Sequence, residues 1–193
     1  MEYADLDSSK RYTYADYIGW DFKERVELIM GKLFKMSSAP TSRHQILSMD
    51  ISGQLWGYLK GKSCRVYAAP FDVRLPRKSN ADKDIITIVQ PDISVICDKS
   101  KVDTKGCLGA PDIVVEILSP RNNEMELNNK FDIYEESGVK EYWIVSPQDN
   151  TFIVNTLTDG RYITSRPMAA GKIFKSSVLP GFSIDLKELF EID

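Results

Sequence analysis

The feature that constrains this chain most is a carboxylate placed where a carboxylate is costly. Glu116 stands in the middle of Ile113-Val114-Val115-Glu116-Ile117-Leu118, an apolar run with the length of a buried strand, introduced by Pro111-Asp112. Strand alternation puts Val114, Glu116 and Leu118 on one face, and Ile113, Val115 and Ile117 on the other. An ionised acid in such a strand needs a compensating positive charge. From this segment alone, a structural ion pair with Lys or Arg and a functional role both stand open.

A second run of the same kind, Ile93-Ser94-Val95-Ile96-Cys97, follows Pro91-Asp92, so that Asp92 opens it. Two acids at strand positions of one sheet can converge on a divalent cation. Mg²⁺ takes oxygen ligands, keeps several waters, and needs only one or two carboxylates plus substrate phosphate oxygens. The plainer alternative is a turn beside the proline, because the Pro-Asp pair recurs at Pro111-Asp112.

Around these runs the pattern predicts a mixed α/β fold. Thr13 reads as the cap of a short helix running to about Trp20. Two β-rich stretches, 26–30 and 33–36, flank Gly31-Lys32 as a hairpin. After Pro40, Thr41 or Ser42 caps a long helix to about Lys60, with Leu47, Ile51, Leu55 and Leu59 recurring as one apolar stripe. Residues 64–68 and 71–75 read as strands, the second with strict alternation of apolar and charged side chains. Residues 76–84 are polar and aperiodic, an exposed and mobile loop able to close over a site. A helix is expected from about 123 to 137, with Leu127, Phe131 and Tyr134 facing the core and Gly138 as its stop. Strands follow at 141–145, 152–154 and 161–164, then a Pro180-Gly181 turn and a closing helix at 186–190. This order implies a central mixed sheet flanked by helices, with an N-terminal hairpin and a β-rich C-terminal extension. The crossover from Glu116 to Trp143 is right-handed if its two strands run parallel.

The 193 residues, 42% of them hydrophobic, suit one domain spanning 1–193. No apolar run is long enough to span a bilayer, and the acidic N-terminus has no charged region leading into an apolar one, so a cytoplasmic protein is expected. Cys64, Cys97 and Cys107 form an odd set without a CxxC pair, which favours reduced thiols: Cys97 as core filler, Cys107 as a loop thiol beside Gly106. With a single histidine, His44, mechanisms needing a histidine pair are excluded. A net charge of -3 does not favour nucleic acid as a partner through bulk charge. Basic clusters at 60–65, 74–78 and 99–105 read more simply as solvated loops and helix ends. There is no G-x-S-x-G elbow and no Gly-rich phosphate loop, which argues against an α/β hydrolase or a kinase-like enzyme.

Pro91-Asp92, a strand, a loop, Glu116-Ile117-Leu118 ending a strand, and a helix bearing Lys130 resemble the PD-(D/E)XK phosphodiesterase superfamily. More closely, Glu116-Ile117-Leu118-Ser119-Pro120, Lys130, Tyr134, Gly138-Val139 and Glu141-Tyr142-Trp143-Ile144-Val145 resemble the Uma family of restriction endonuclease-like proteins. Glu27-Leu28-Ile29-Met30-Gly31-Lys32-Leu33 and Ser42-Arg43-His44 match that family's N-terminal pattern, so the resemblance covers about residues 14 to 157.

The resemblance implies a core of helix, three strands, helix and strand. It implies Asp92, Glu116 and the main-chain carbonyl of Ile117 as ligands to Mg²⁺ or Mn²⁺, with Glu27 as a further acid near the metal. The superfamily's lysine would fall at Leu118, which is aliphatic here, and Lys130 matches the lysine that the family uses from the following helix. For Lys130, an (i, i+4) pair with Glu126 remains the competing reading, and for Glu27 an outward position on the hairpin. His44 either borders the cleft or is an ordinary helix N-terminal residue. Tyr134 either hydrogen-bonds across the cleft or is core. The implied activity is metal-dependent hydrolysis of phosphodiesters in nucleic acid, DNA more than RNA, by a homodimer whose interface is sought in the β-rich tail. The alternative is a binding or assembly module that keeps the fold without turnover, a reading supported by Leu118 and the acidic balance.

Overall fold

The computed structural model describes residues 6–7, 9–36, 40–119 and 124–191, without the side chains of 124–126. In chain order its elements are α1 (Tyr14–Tyr17), β1 (Val26–Ile29), β2 (Lys32–Lys35), α2 (Ser42–Leu59), β3 (Arg65–Ala68), β4 (Val73–Arg74), β5 (Ile88–Val89), β6 (Ile93–Ile96), β7 (Val102–Asp103), β8 (Gly106–Leu108) and β9 (Ile113–Ile117). There follow α3 (Glu124–Ser137), β10 (Glu141–Ser146), β11 (Thr151–Thr158), β12 (Arg161–Thr164), β13 (Ile173–Lys175), β14 (Ser183–Asp185) and α4 (Leu186–Phe190).

The central sheet has the order β12-β11-β10-β9-β6-β3 and is mixed, because β9 and β10 run parallel while their neighbours are antiparallel. The parallel pair requires a crossover, and α3 supplies it. The two faces of β9 separate as alternation requires. Ile113, Val115 and Ile117 pack with Leu47, Ile51, Leu55 and Leu59 of α2, while Val114 packs with Ile133 and Tyr134 of α3. The α2 stripe thus covers one face and α3 the other. The order α2, β3, β6, β9, α3, β10 is the helix, three strands, helix, strand core expected above.

A second mixed sheet, order β2-β1-β5-β4-β8-β7, was not anticipated. Beyond the hairpin its strands have two or three residues each, too short for periodicity to register. The N-terminal hairpin is its edge. Met30 and Gly31 turn that hairpin with φ of 55° and 79°, the conformation a two-residue connection needs. A Cβ at Gly31 would meet Tyr12 O at 3.2 Å, so a side chain is doubly disfavoured there.

Several expectations are corrected. Thr13 caps α1 through a capping box with Asp16, but the helix ends at Tyr17 instead of about Trp20. The strand expected at 71–75 is confined to Val73–Arg74, and Arg74, which alternation would turn outward, is buried. Its guanidinium reaches Asp103 at 2.6 Å and lies 5.2 Å from the Tyr14 ring centroid, and this pairing offsets the desolvation. Residues 76–84 include a 3-10 turn at Asp82–Asp84 and are tied down by ion pairs from Arg77 to Glu136 and from Asp82 to Lys105.

The reduced-thiol expectation is also overturned. Cys64 and Cys97 form a disulfide, because the β3–β6 register, Arg65 opposite Ile96, continues outward to put the two cysteines directly across from each other. Cys107 is a buried residue of β8, not a loop thiol, and burial pushes its pKa up to about 11, which leaves it a poor nucleophile. Among the described residues, no helix is long and apolar enough to cross a membrane.

Candidate active site

Asp92 and Glu116 meet because of strand register. Antiparallel β6 and β9 pair Ile93 with Val115 and Ser94 with Val114, and one further step puts Asp92 opposite Glu116. Directly opposed residues of an antiparallel pair point to the same face. Asp92 is fixed by its own neighbour strand: Oδ2 accepts a 2.7 Å hydrogen bond from the Ile117 main-chain N–H. The Asp92 side chain keeps 21% of its surface exposed, while that of Glu116 keeps 10%, so the pair grades from rim to interior.

Lys130 reaches Glu116 from α3. Its Nζ lies 3.0 Å from Glu116 Oε1 and 3.2 Å from Glu27 Oε1, and its side chain is 5% exposed. The ammonium therefore bridges two buried acids belonging to different sheets. The side chain of Glu126, its alternative partner, lies outside the described residues. Glu27 is buried and does not face outward from the hairpin; its Oε1 also accepts from the Gln90 main-chain N–H at 2.8 Å. Tyr134 combines both of its readings, a core side chain whose hydroxyl donates to Glu116 Oε1 at 2.7 Å.

His44 borders this cluster. It lies in the first turn of α2, and Nε2 is 3.3 Å from Asp92 Oδ2, while Nδ1 is buried with no hydrogen-bond partner among the described residues. Burial pulls its pKa down, but the hydrogen bond to Asp92, that carboxylate's charge, the Ile117 backbone and Glu116 outweigh it, and the net direction is up. Arg43, one residue earlier, hydrogen-bonds Pro147 O (3.2 Å), Asn150 Oδ1 (2.7 Å) and Phe190 O (3.0 Å), which pins the start of α2.

Glu116 carries the largest electrostatic conflict. Burial raises its pKa most and Asp92 and Glu27 raise it further, against Lys130 and the Tyr134 hydroxyl, to about 7. Lys130 is held charged: burial opposes its ammonium, but Glu116 and Glu27 outweigh that and raise its pKa. The linkage sign follows from Glu116 binding its proton more tightly in the fold than in the unfolded chain. Its contribution to stability is fully present below about 4.5 and is lost as pH rises through about 7. In metal-free buffer the urea midpoint should therefore fall between pH 5 and pH 8, and Glu116→Gln should flatten that slope; a slope unchanged in the variant would assign it elsewhere.

The oxygen donors suit a hard cation. Asp92 and Glu116 are hard oxygen donors of the kind that Mg²⁺ takes one or two of while keeping waters. Among the described residues, no group of three or more His, Cys, Asp or Glu converges as a full cage. A neighbouring network escaped the sequence reading. Gln90 Oε1 accepts from Arg25, and its Nε2 donates to Asp72 Oδ1 (2.7 Å) and the Tyr17 hydroxyl (3.2 Å) while its main chain holds Glu27. No local motif marks it, since its members are spread from residue 17 to residue 90.

Comparison with known proteins bears on the family and the fold. A family model, Uma2, described as "Putative restriction endonuclease", matches residues 14–187. An uncharacterized protein of Synechocystis sp. (strain ATCC 27184 / PCC 6803 / Kazusa), slr1290, is 22% identical over 175 residues, 89% of this chain and 88% of that one. The crystal structure of a "putative nuclease belonging to DUF820" from Anabaena variabilis ATCC 29413 superposes with a TM-score of 0.69 at 20% identity, over 93% of this chain and 97% of that one. At this identity the likeness is one of fold.

Proposed function

The chain belongs to the Uma2 family, and from that premise we propose that it is a divalent-metal-dependent endonuclease that hydrolyses phosphodiester bonds in DNA more than in RNA. The observation that carries the reading is the placement of Asp92 one register step beyond the β6–β9 ladder, held by the Ile117 N–H next to Glu116, with Lys130 delivered to Glu116 from the next helix.

Asp92, Glu116 and the carbonyl of Ile117 would hold Mg²⁺ or Mn²⁺. When bound, such a cation would supply Lewis-acid polarisation of a phosphate and a lowered pKa for a coordinated water. Burial holds the Glu116 proton more tightly than usual, so Glu116 would have to be deprotonated to act as a ligand. Lys130 keeps Glu116 oriented and puts a fixed positive charge beside developing phosphorane charge. Glu27, through Lys130, positions that charge. His44 holds Asp92 from the rim. Leu118 leaves the strand without an amine, and Lys130 supplies one from α3 instead.

The test is cleavage of plasmid and single-stranded substrates with Mg²⁺, Mn²⁺ or chelator. Metal-dependent cutting is expected, lowered by about a hundredfold or more in Asp92→Asn and Glu116→Gln. Undiminished cutting by these variants would assign the activity to a contaminant. A wild-type chain that neither cuts nor binds Mn²⁺ by calorimetry would favour the binding-module reading, to which Leu118 points.

A further inference from the structure

α2 has a second stripe that the fold leaves uncovered. Opposite the core-facing residues lie Ile46 (39% exposed), Met49 (74%), Gly53, Trp56 (60%) and Gly57, with Asp50 part-exposed beside them and Lys60 just beyond the helix end. The spacing, in steps of three, four and seven, keeps them on one helical face. Two glycines inside a helix are unfavourable, and among the described residues no packing contact explains them: apart from the helix's own backbone, no atom lies within 4 Å of a Cβ at Gly53 or Gly57. Bare backbone flanked by large exposed apolar side chains is the surface on which another helix can approach closely.

We propose that this stripe, in place of the β-rich tail expected from the sequence, is a two-fold interface between two copies of the chain, with the α2 helices packed antiparallel and the axis crossing them at the level of Leu55. That axis sets Gly53 of one copy against Gly57 of the other, Asp50 against Lys60, and Met49 against Gly61, each pairing occurring twice as an isologous contact requires. Met49 then lies over bare Gly61, Trp56 of each copy lies beside Gln54 of the other, and the charges at the two ends are opposite. The match of both shape and charge to the same stripe reversed selects a second copy over an unrelated partner. Lys60, now 5.4 Å from the Trp56 ring centroid, need only swing to reach Asp50 of the other copy. The helix has 18 residues, about 27 Å of length, so the contact falls below the usual area of a permanent dimer and association is concentration-dependent. The acid clusters remain open at opposite ends, with the two His44 residues about 33 Å apart along the axes at 1.5 Å per residue. The interface is independent of the nuclease reading.

Sedimentation of the full chain from low to high micromolar concentration tests it. A monomer–dimer equilibrium is expected, weakened by about tenfold or more in Gly53→Leu and Trp56→Glu. Asp50→Lys and Lys60→Asp should each weaken it, and the double variant, which restores opposite charges across the axis, should recover it. Circular dichroism melts matching wild type keep these readouts free of unfolding. A wild-type monomer at all concentrations, a dimer indifferent to Gly53→Leu and Trp56→Glu, or single charge reversals that the double variant fails to rescue would each overturn the proposal.

Discussion

Lys130→Met is expected to lower the unfolding free energy by about 3–5 kcal/mol, because it leaves Glu27 and Glu116 buried without their shared cation. The methionine retains most of the volume, so the loss is electrostatic and not a cavity effect. One relief is available: Glu116, already near its ionisation midpoint at about 7, can take up a proton. The penalty should accordingly be smaller at pH 5 than at pH 8, and Glu116→Gln combined with Lys130→Met should recover part of it in a double-mutant cycle. Urea unfolding at both pH values measures this. A loss below about 1 kcal/mol would mean that the three groups rearrange or hydrate and that Lys130 does not hold the site together.

Glu141→Ala is expected to cost about 3 kcal/mol or more, for a different reason. Glu141 opens β10, is 1% exposed, and among the described residues has no cation as a hydrogen-bond partner. Its carboxylate accepts from Trp143 Nε1 (2.9 Å), Ser176 Oγ (2.8 Å), the N–H and Oγ of Ser177 (both 2.6 Å) and the Val178 N–H (3.3 Å). Truncation strands these donors, and each bond to a charged acceptor contributes about 1.5–3 kcal/mol before non-additivity. The segment between β13 and β14 is docked through this residue, so hydrogen exchange should accelerate first at 173–185. Uniform acceleration along the chain would contradict that local role.

The sequence announced the two acids because their signal is local. An ionisable residue inside an apolar run violates strand patterning in a way that a single segment reveals, and alternation alone told which face Glu116 takes. What Glu116 faces could not be read this way. Lys130 approaches from a helix fourteen residues later, and Glu27 from a hairpin in another sheet, so only the three-dimensional packing brings them together. The second sheet was illegible because strands of two residues carry no period. Arg74 misled for a related reason: alternation assigns a charged residue outward, but an aromatic ring and an acid were waiting on the inner side. Counting cysteines argued for thiols, whereas pairing is decided by strand register, which composition does not contain. The Thr41 cap and the α2 core stripe were legible throughout, since caps and helical spacing are short-range features.

Arg43 joins the first turn of α2 to the β10–β11 turn and to the last turn of α4. The next residue carries the imidazole that touches Asp92. The closing helix therefore acts as a distant brace for the mouth of the acid cluster. A fusion or deletion that loosens it would be felt more than a hundred residues upstream, as a shift in how His44 presents itself, before any of the central strands gave way.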